Sequence, residues 1–120
     1  MKEIKVFEEA RAAKCKNLRE AGINPTMYIA YFRSKEDAGN ELIDFSEVIW
    51  DEDVLEIVRT CRENDIREFT ISSTMSSIIA TIAEFEKLGC KMFGIMQINA
   101  TYTDFMTGKK KKIPAIKMVL

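Results

Sequence analysis

The chain has 120 residues, 47% of them hydrophobic and 31% charged, with a net charge of −1. That length suits one domain with a real core, and that charge supplies no general field for nucleic acid or an acidic membrane. Histidine is absent, which removes Ser–His and Cys–His nucleophile pairs, imidazole metal sites and the usual general base near neutral pH.

Residues 3–21 read as a helix, with Ile4, Val6, Phe7, Ala10, Ala13, Cys15 and Leu18 on one broad side and Gly22 as its stop. "TMYIAYFRS", 26–34, is rich in β-branched and aromatic residues and reads as a strand, although Asn24-Pro25 would equally suit the start of a helix. "KEDAGN" is then a turn, and "ELIDF", 41–45, a return strand completing a hairpin. "WDEDVLEIVRTCREND" reads as a helix, with Asp51 as N-cap, Glu52 and Asp53 in the first turn, and a buried stripe of Val54, Ile57, Val58 and Cys61. "IREFTIS" is the next strand. Residues 74–88 follow as a helix with Met75, Ile78, Ile79, Ile82 and Phe85 on one side, Ser73 or Thr74 as its cap, and Gly89 closing it.

The last thirty residues read as two long strands around "TGKKKK". Even positions Met92, Met96, Ile98, Ala100 and Tyr102 of the first, with Pro114, Ile116, Met118 and Leu120 of the second, form one apolar face. The odd positions turn polar from Gln97 onward, so the other face is at least partly solvated. Two strand–helix–strand units call for parallel neighbours, whereas the terminal hairpin is antiparallel. The expected fold is a single α+β or α/β domain over 1–120: a mixed sheet of about five strands, three helices packed mainly on one face, and a C-terminal β-hairpin. No signal peptide or membrane-spanning run is visible, so the expected location is cytoplasmic.

The stretches "ENDIREFTISSTMSSIIATIAEFEKLGCKM" and "INATYTDFMTGKKKKIPAIKM" resemble a family of small uncharacterised domains of Gram-positive gut bacteria, carried on plasmids and conjugative elements. The matching features run from "IDFSEVIWDEDV" to the C-terminus: the E-F-T-I-S-S-T junction, the G-C before the next strand, and N-A-x-Y-T-D-x-x-T-G in the hairpin. The resemblance implies an accessory protein of mobile DNA and no catalytic residues. Lys109–Lys112 is more basic than the family pattern.

Candidate sites come from residue chemistry. A helix N-terminus at the carboxyl end of a strand offers free N–H groups for an anion, and Ser72, Ser73, Thr74, Ser76 and Ser77 would add hydroxyls there. The loop lacks the glycines that let a backbone wrap phosphate, and helix capping alone explains its composition. Lys109, Lys110, Lys111 and Lys112, with Tyr102 and Phe105 near, would grip nucleic-acid phosphate. The alternative favoured here is a solubilising turn, with the lysines and Pro114 guarding a sheet edge. Asp44, Glu47, Asp51, Glu52, Asp53 and Glu56 match no metal-loop spacing. Cys15, Cys61 and Cys90 form no C-x-x-C pair and read as core thiols.

No metal or cofactor is therefore expected. Trp50, Tyr28, Tyr31 and Phe32 read as core or as a contact surface, with Trp50 as a packing staple before its helix. Half-polar alternation on one sheet face, with Tyr28 and Tyr31 beside it, suggests a homodimer. The function expected is a non-catalytic protein-interaction module with a protein partner. The alternatives are a small-ligand or anion-binding protein using Ser72–Ser77, and a weak nucleic-acid accessory using Lys109–Lys112.

Overall fold

The computed structural model describes residues 1–120. Helix α1 (Lys5–Ala12) stops well short of the expected boundary. Lys14 turns left-handed at φ 53°, the Cys15 N–H returns to the Ala10 carbonyl at 2.9 Å, and the Lys14 N–H returns to Arg11 at 3.0 Å. This closing motif ordinarily places glycine at the left-handed position. A lysine there leaves the stop unmarked in the sequence, while Gly22 (φ 77°) serves a later, separate turn.

The run 26–34 is a helix and not a strand, which corrects the expectation. In α2 (Pro25–Phe32) the Asn24 side chain accepts from the Met27 N–H at 2.9 Å, and Pro25 supplies the first helical residue. Met27, Ala30 and Tyr31 are buried at helical spacing. The run is apolar nearly all round, so its periodicity does not separate helix from strand, and the Asn-Pro start decides. A π-helical segment, Arg33–Ala38, continues it and ends at left-handed Gly39. No hairpin forms with 41–45; only β1 (Asp44–Phe45) is strand.

The remaining elements are α3 (Asp51–Glu63), β2 (Glu68–Ile71), α4 (Ile78–Lys87), β3 (Lys91–Thr103) and β4 (Lys110–Val119). The sheet has four strands in the order β1-β2-β4-β3, with β1 and β2 parallel and the other two pairs antiparallel. The expected fifth strand is the run that became α2. The second strand–helix–strand unit is split, because β4 lies between β2 and β3. At α3 the cap is Trp50 and not Asp51; the Asp53 carboxylate accepts from the Trp50 N–H at 3.1 Å.

One face of the sheet carries Phe45, Phe69, Ile71, Ile116 and Met118, set in line by the register. Phe69 meets Phe45 and Phe85 at ring-centroid distances of 5.6 and 5.1 Å, which seats α4 on this face. Val54, Ile57, Val58 and Cys61 of α3 join the same cluster. A bulge between Met92 and Gly94 then shifts the parity of β3. Met92 lines up with Met118, but Met96 and Ile98 pair with Ala115 and Ile113 on the opposite face. No single apolar face therefore runs the length of β3. Ile98, Ala100 and Ala115 are buried on that second face, where the π-helical segment packs against β3. The four α-helices thus all contribute to the cluster on the first face, as expected, and only the π-helical segment covers part of the second.

The π-helical segment and the residue after Gly39 tie down both sheet edges. The buried Ser34 hydroxyl accepts the Asp44 N–H of β1 at 2.8 Å. The Asn40 amide exchanges two hydrogen bonds of 2.9 Å with the backbone N–H and carbonyl of Asn99 in β3.

Candidate functional site

The helix after Ser72–Ser77 begins at Ile78, later than expected, with Ser77 at the cap position and no side-chain cap bond. Ser73 accepts weakly from the Met75 N–H at 3.4 Å, and Thr74, Ser76 and Ser77 are exposed. Neither Ser73 nor Thr74 caps the helix, so the hydroxyls do not converge on its N-terminus. Ser72 alone reaches inward. Its hydroxyl donates to the Asp44 carboxylate at 2.5 Å, and Thr70 donates to the other oxygen at 2.7 Å. Burial pushes the Asp44 carboxyl up from its ordinary range, and these two hydroxyls pull it partly back. A cavity of about 70 Å³ opens here beyond the carboxyl ends of β1 and β2, lined by Arg33, Ser34, Asp44, Ser72, Asn99 and Tyr102 among others. It has room for no more than a few water molecules.

Lys109–Lys112 enter β4 from the hairpin turn, and no carboxylate lies within ion-pair distance of any of them. Lys110 donates to the Thr101 carbonyl at 3.2 Å and Lys112 to the Asn99 side chain. Phe105 and Met106 at the tip are 98% and 87% exposed. Residues 101–112 carry +3, and the rest of the chain −4. The edge-guarding placement fits: β2 flanks β4 only from Ile116 to Val119, so Lys110–Lys112 and Pro114 lie on a stretch with no strand on that side. Pro114 lies beyond the last residue of β4 that β2 pairs, Ile116, so its missing N–H costs no ladder bond.

The acidic residues separate into different roles, except that Asp53 and Glu56 both accept from the Asn24 amide. Asp53 is 1% exposed and accepts from Asn24 at 2.9 Å and Thr26 at 3.1 Å. Its carboxylate therefore serves the starts of both α2 and α3, where the helix dipoles favour negative charge. Glu47 pairs with Arg33 at 2.6 Å, and Asp51 and Glu52 are exposed. No group of three His, Cys, Asp or Glu side chains is placed to hold a metal ion. Burial pushes the Cys61 thiol up to about 12 with Cys90 adding to it, whereas Cys15 is only half-buried and is no core thiol.

The aromatic residues divide differently from the expectation. Tyr31 is fully buried; its hydroxyl accepts from the Ile4 N–H at 3.3 Å and donates to Glu8 at 3.0 Å. Tyr28 and Phe32 pack edge-on at 4.9 Å on the same helix. Neither tyrosine lies on a sheet face. Trp50 is 61% exposed and is no staple. Two residues before it, Val48 forms one wall of a groove of about 130 Å³ between α2 and the β1–α3 connection. Ile29 and Ala30 form the other wall, Phe45 lies at its base, and Arg33 and Glu47 are at its rim. Ile29 and Val48 are 45% and 42% exposed. The sequence signal nearest this groove was Trp50, two residues past Val48; the Ile29 wall was hidden by the strand reading of 26–34.

The fold and these surfaces define a small mixed α+β domain. A family profile described as a domain of unknown function, DUF7698, matches residues 26–120. The chain belongs to this family. No curated protein and no solved structure matches it. The match begins after α1, yet Ile4, Phe7 and Ile23 from the preceding residues are all part of the buried core. No helix is long and apolar enough to cross a membrane.

Proposed function

We propose that this protein is a non-catalytic interaction module that binds a partner protein through the groove beside Trp50. The observation that carries this reading is an apolar groove whose walls, Ile29 and Val48, are half open, with Trp50, 61% exposed, two residues along the chain from Val48. Tryptophan beside an apolar pocket is a recurring centre of binding energy in protein interfaces, and the Arg33–Glu47 pair would form a polar rim around it. A role as an accessory protein of mobile DNA rests on the resemblance of the sequence motifs.

The test is copurification from a native host with wild-type protein and with Trp50→Ala and Ile29→Ser variants of unchanged circular dichroism. A stoichiometric protein held by wild type and lost by both variants supports the reading. A partner retained equally by all three removes the groove from it, and recovery of a small metabolite would favour a ligand-binding role instead. An anion-binding role for Ser72–Ser77 has Ser72 in its favour, but that hydroxyl is already committed to Asp44. Lys109–Lys112, free of carboxylate partners beside exposed Tyr102 and Phe105, support the nucleic-acid reading. Salt-sensitive retention of DNA or RNA, abolished when the four lysines become serine, would establish it.

A further inference from the structure

The outer edge of β3 is open where edges are usually guarded. Asn99 gives both backbone groups to Asn40, so they point away from β4. Backbone groups alternate sides along an antiparallel strand, so those of Gln97 and Ile95 point outward as well, with no strand beyond β3 to receive them. Pro114 opposite Gln97 agrees with this, since an outward-facing pair exchanges no bond with its neighbour. The side chains are equally bare: Met92, Phe93 and Ile95 are 53%, 75% and 67% exposed. Between Lys91 and Asn99 no residue is charged. The lysines that would deter pairing lie instead on β4.

We propose that this edge pairs with the same edge of a second copy of the chain, antiparallel about a two-fold axis at Met96. Ile95 then faces Gln97 of the second copy and Gln97 faces its Ile95, and the outward N–H and carbonyl groups of these residues make four hydrogen bonds across the axis. The chain is its own best complement for reasons of charge. Lys91 is the only charged residue of β3, and the two-fold sends the two copies of it to opposite ends; the Lys117 ammonium, 5.0 Å from the Phe93 ring, is already paired with Glu68. Gly94 faces Ile98 of the second copy, where the missing side chain leaves room for the approach. The three exposed side chains offer a few hundred Å² of apolar surface. With the strand backbone added, each copy buries somewhat less than the ~800 Å² per partner of a standard interface, which corresponds to a reversible dimer. This surface is separate from the Trp50 groove, and neither depends on the other.

Sedimentation of the wild-type chain across the micromolar range tests the proposal, together with Gln97→Pro, Ile95→Lys and Trp50→Ala. Gln97→Pro removes an outward N–H that the monomer's own ladder does not use, and Ile95→Lys places two like charges beside the axis. The expected result is a concentration-dependent dimer for wild type and Trp50→Ala, and a monomer for folded Gln97→Pro or Ile95→Lys. Hydrogen exchange on wild type needs no variant: the Ile95 and Gln97 amides should gain protection as concentration rises. A wild-type monomer throughout, a dimer that survives in either folded variant, or Ile95 and Gln97 amides indifferent to concentration would overturn the proposal. A dimer that survives Trp50→Ala while a partner protein is lost separates this inference from the proposed function.

Discussion

β2 and β3 lie two places apart in one sheet and are built on opposite terms. β2 has four residues, a paired strand on each side and three buried side chains in Phe69, Thr70 and Ile71. β3 has thirteen, a partner on one side only, and its first part is exposed even where it is most apolar. The difference shows that hydrophobic residues in this chain do two jobs. Those near β2 make the core, whereas those of Met92–Ile95 remain available at the surface.

The sharpest test of that contrast exchanges two phenylalanines for alanine. Phe69→Ala should cost about 3–5 kcal/mol, because a fully buried ring leaves a cavity. Phe93→Ala, in protein dilute enough to be monomeric, should stay within about 0.5 kcal/mol. Chemical denaturation compares the two directly; equal losses would place Phe93 in a core that the structure denies it.

The two edge ties should separate next. Ser34→Ala leaves the buried Asp44 N–H without its acceptor and should cost about 1–3 kcal/mol. Asn40→Ala exposes the Asn99 backbone to water, which can replace the lost bonds, so about 1 kcal/mol or less is expected. The same denaturation curves decide the order, and a larger loss at Asn40 would reverse this account of the edges.

Asp44 adds a pH signature to the β1–β2 side. Burial raises its folded pKa above the ordinary 3.8, so between those values the folded chain holds more protons than the unfolded one. Its contribution is complete below the ordinary value and is lost as pH rises through the folded one. Glu8, held low first by Lys35, and Asp65, held low first by Lys2, act in the opposite sense and lose their contribution as pH falls. The melting temperature of wild type, referred to that of Asp44→Asn at each pH, should therefore decline on passing from acid toward neutral. A flat difference would mean that Asp44 is solvated. The smallest effect belongs to Ser76→Ala and Ser77→Ala, exposed and outside any cap bond, each expected within about 0.5 kcal/mol by thermal melting.

The parts of the fold that local chemistry announces were legible in the sequence. The buried stripe of α3 and the Gly89 stop of α4 are where spacing put them. The terminal strands also stand where the alternation placed them. What stayed hidden was either a local departure from the ordinary pattern or a contact distant in sequence. Lys14 closes α1 in a conformation that its side chain does not advertise. One bulged residue at Phe93 reverses the faces of β3; Gly94 beside it is the local mark of a bulge, which the unbroken alternation passed over. Insertion of β4 between β2 and β3 is a choice among pairings that adjacent residues do not encode. At the candidate sites, residue types suggested Ser72 and Trp50. Asn40 read only as part of a turn, because its partner Asn99 is fifty-nine residues away.

The ties at Ser34 and Asn40 also set a limit on growth. A sheet with two free edges can add copies without end, head to tail, and become a fibre. Here β1 offers only two residues, one with its N–H already taken by Ser34. On the opposite side the open stretch of β3 ends at Asn99, where Asn40 occupies the backbone. A strand that joins β3 therefore finds on the far side only the two residues of β1 and the lysine-rich start of β4 from which to continue. If copies pair through β3, assembly through this sheet would stop after one addition, and the open strand would not seed a filament.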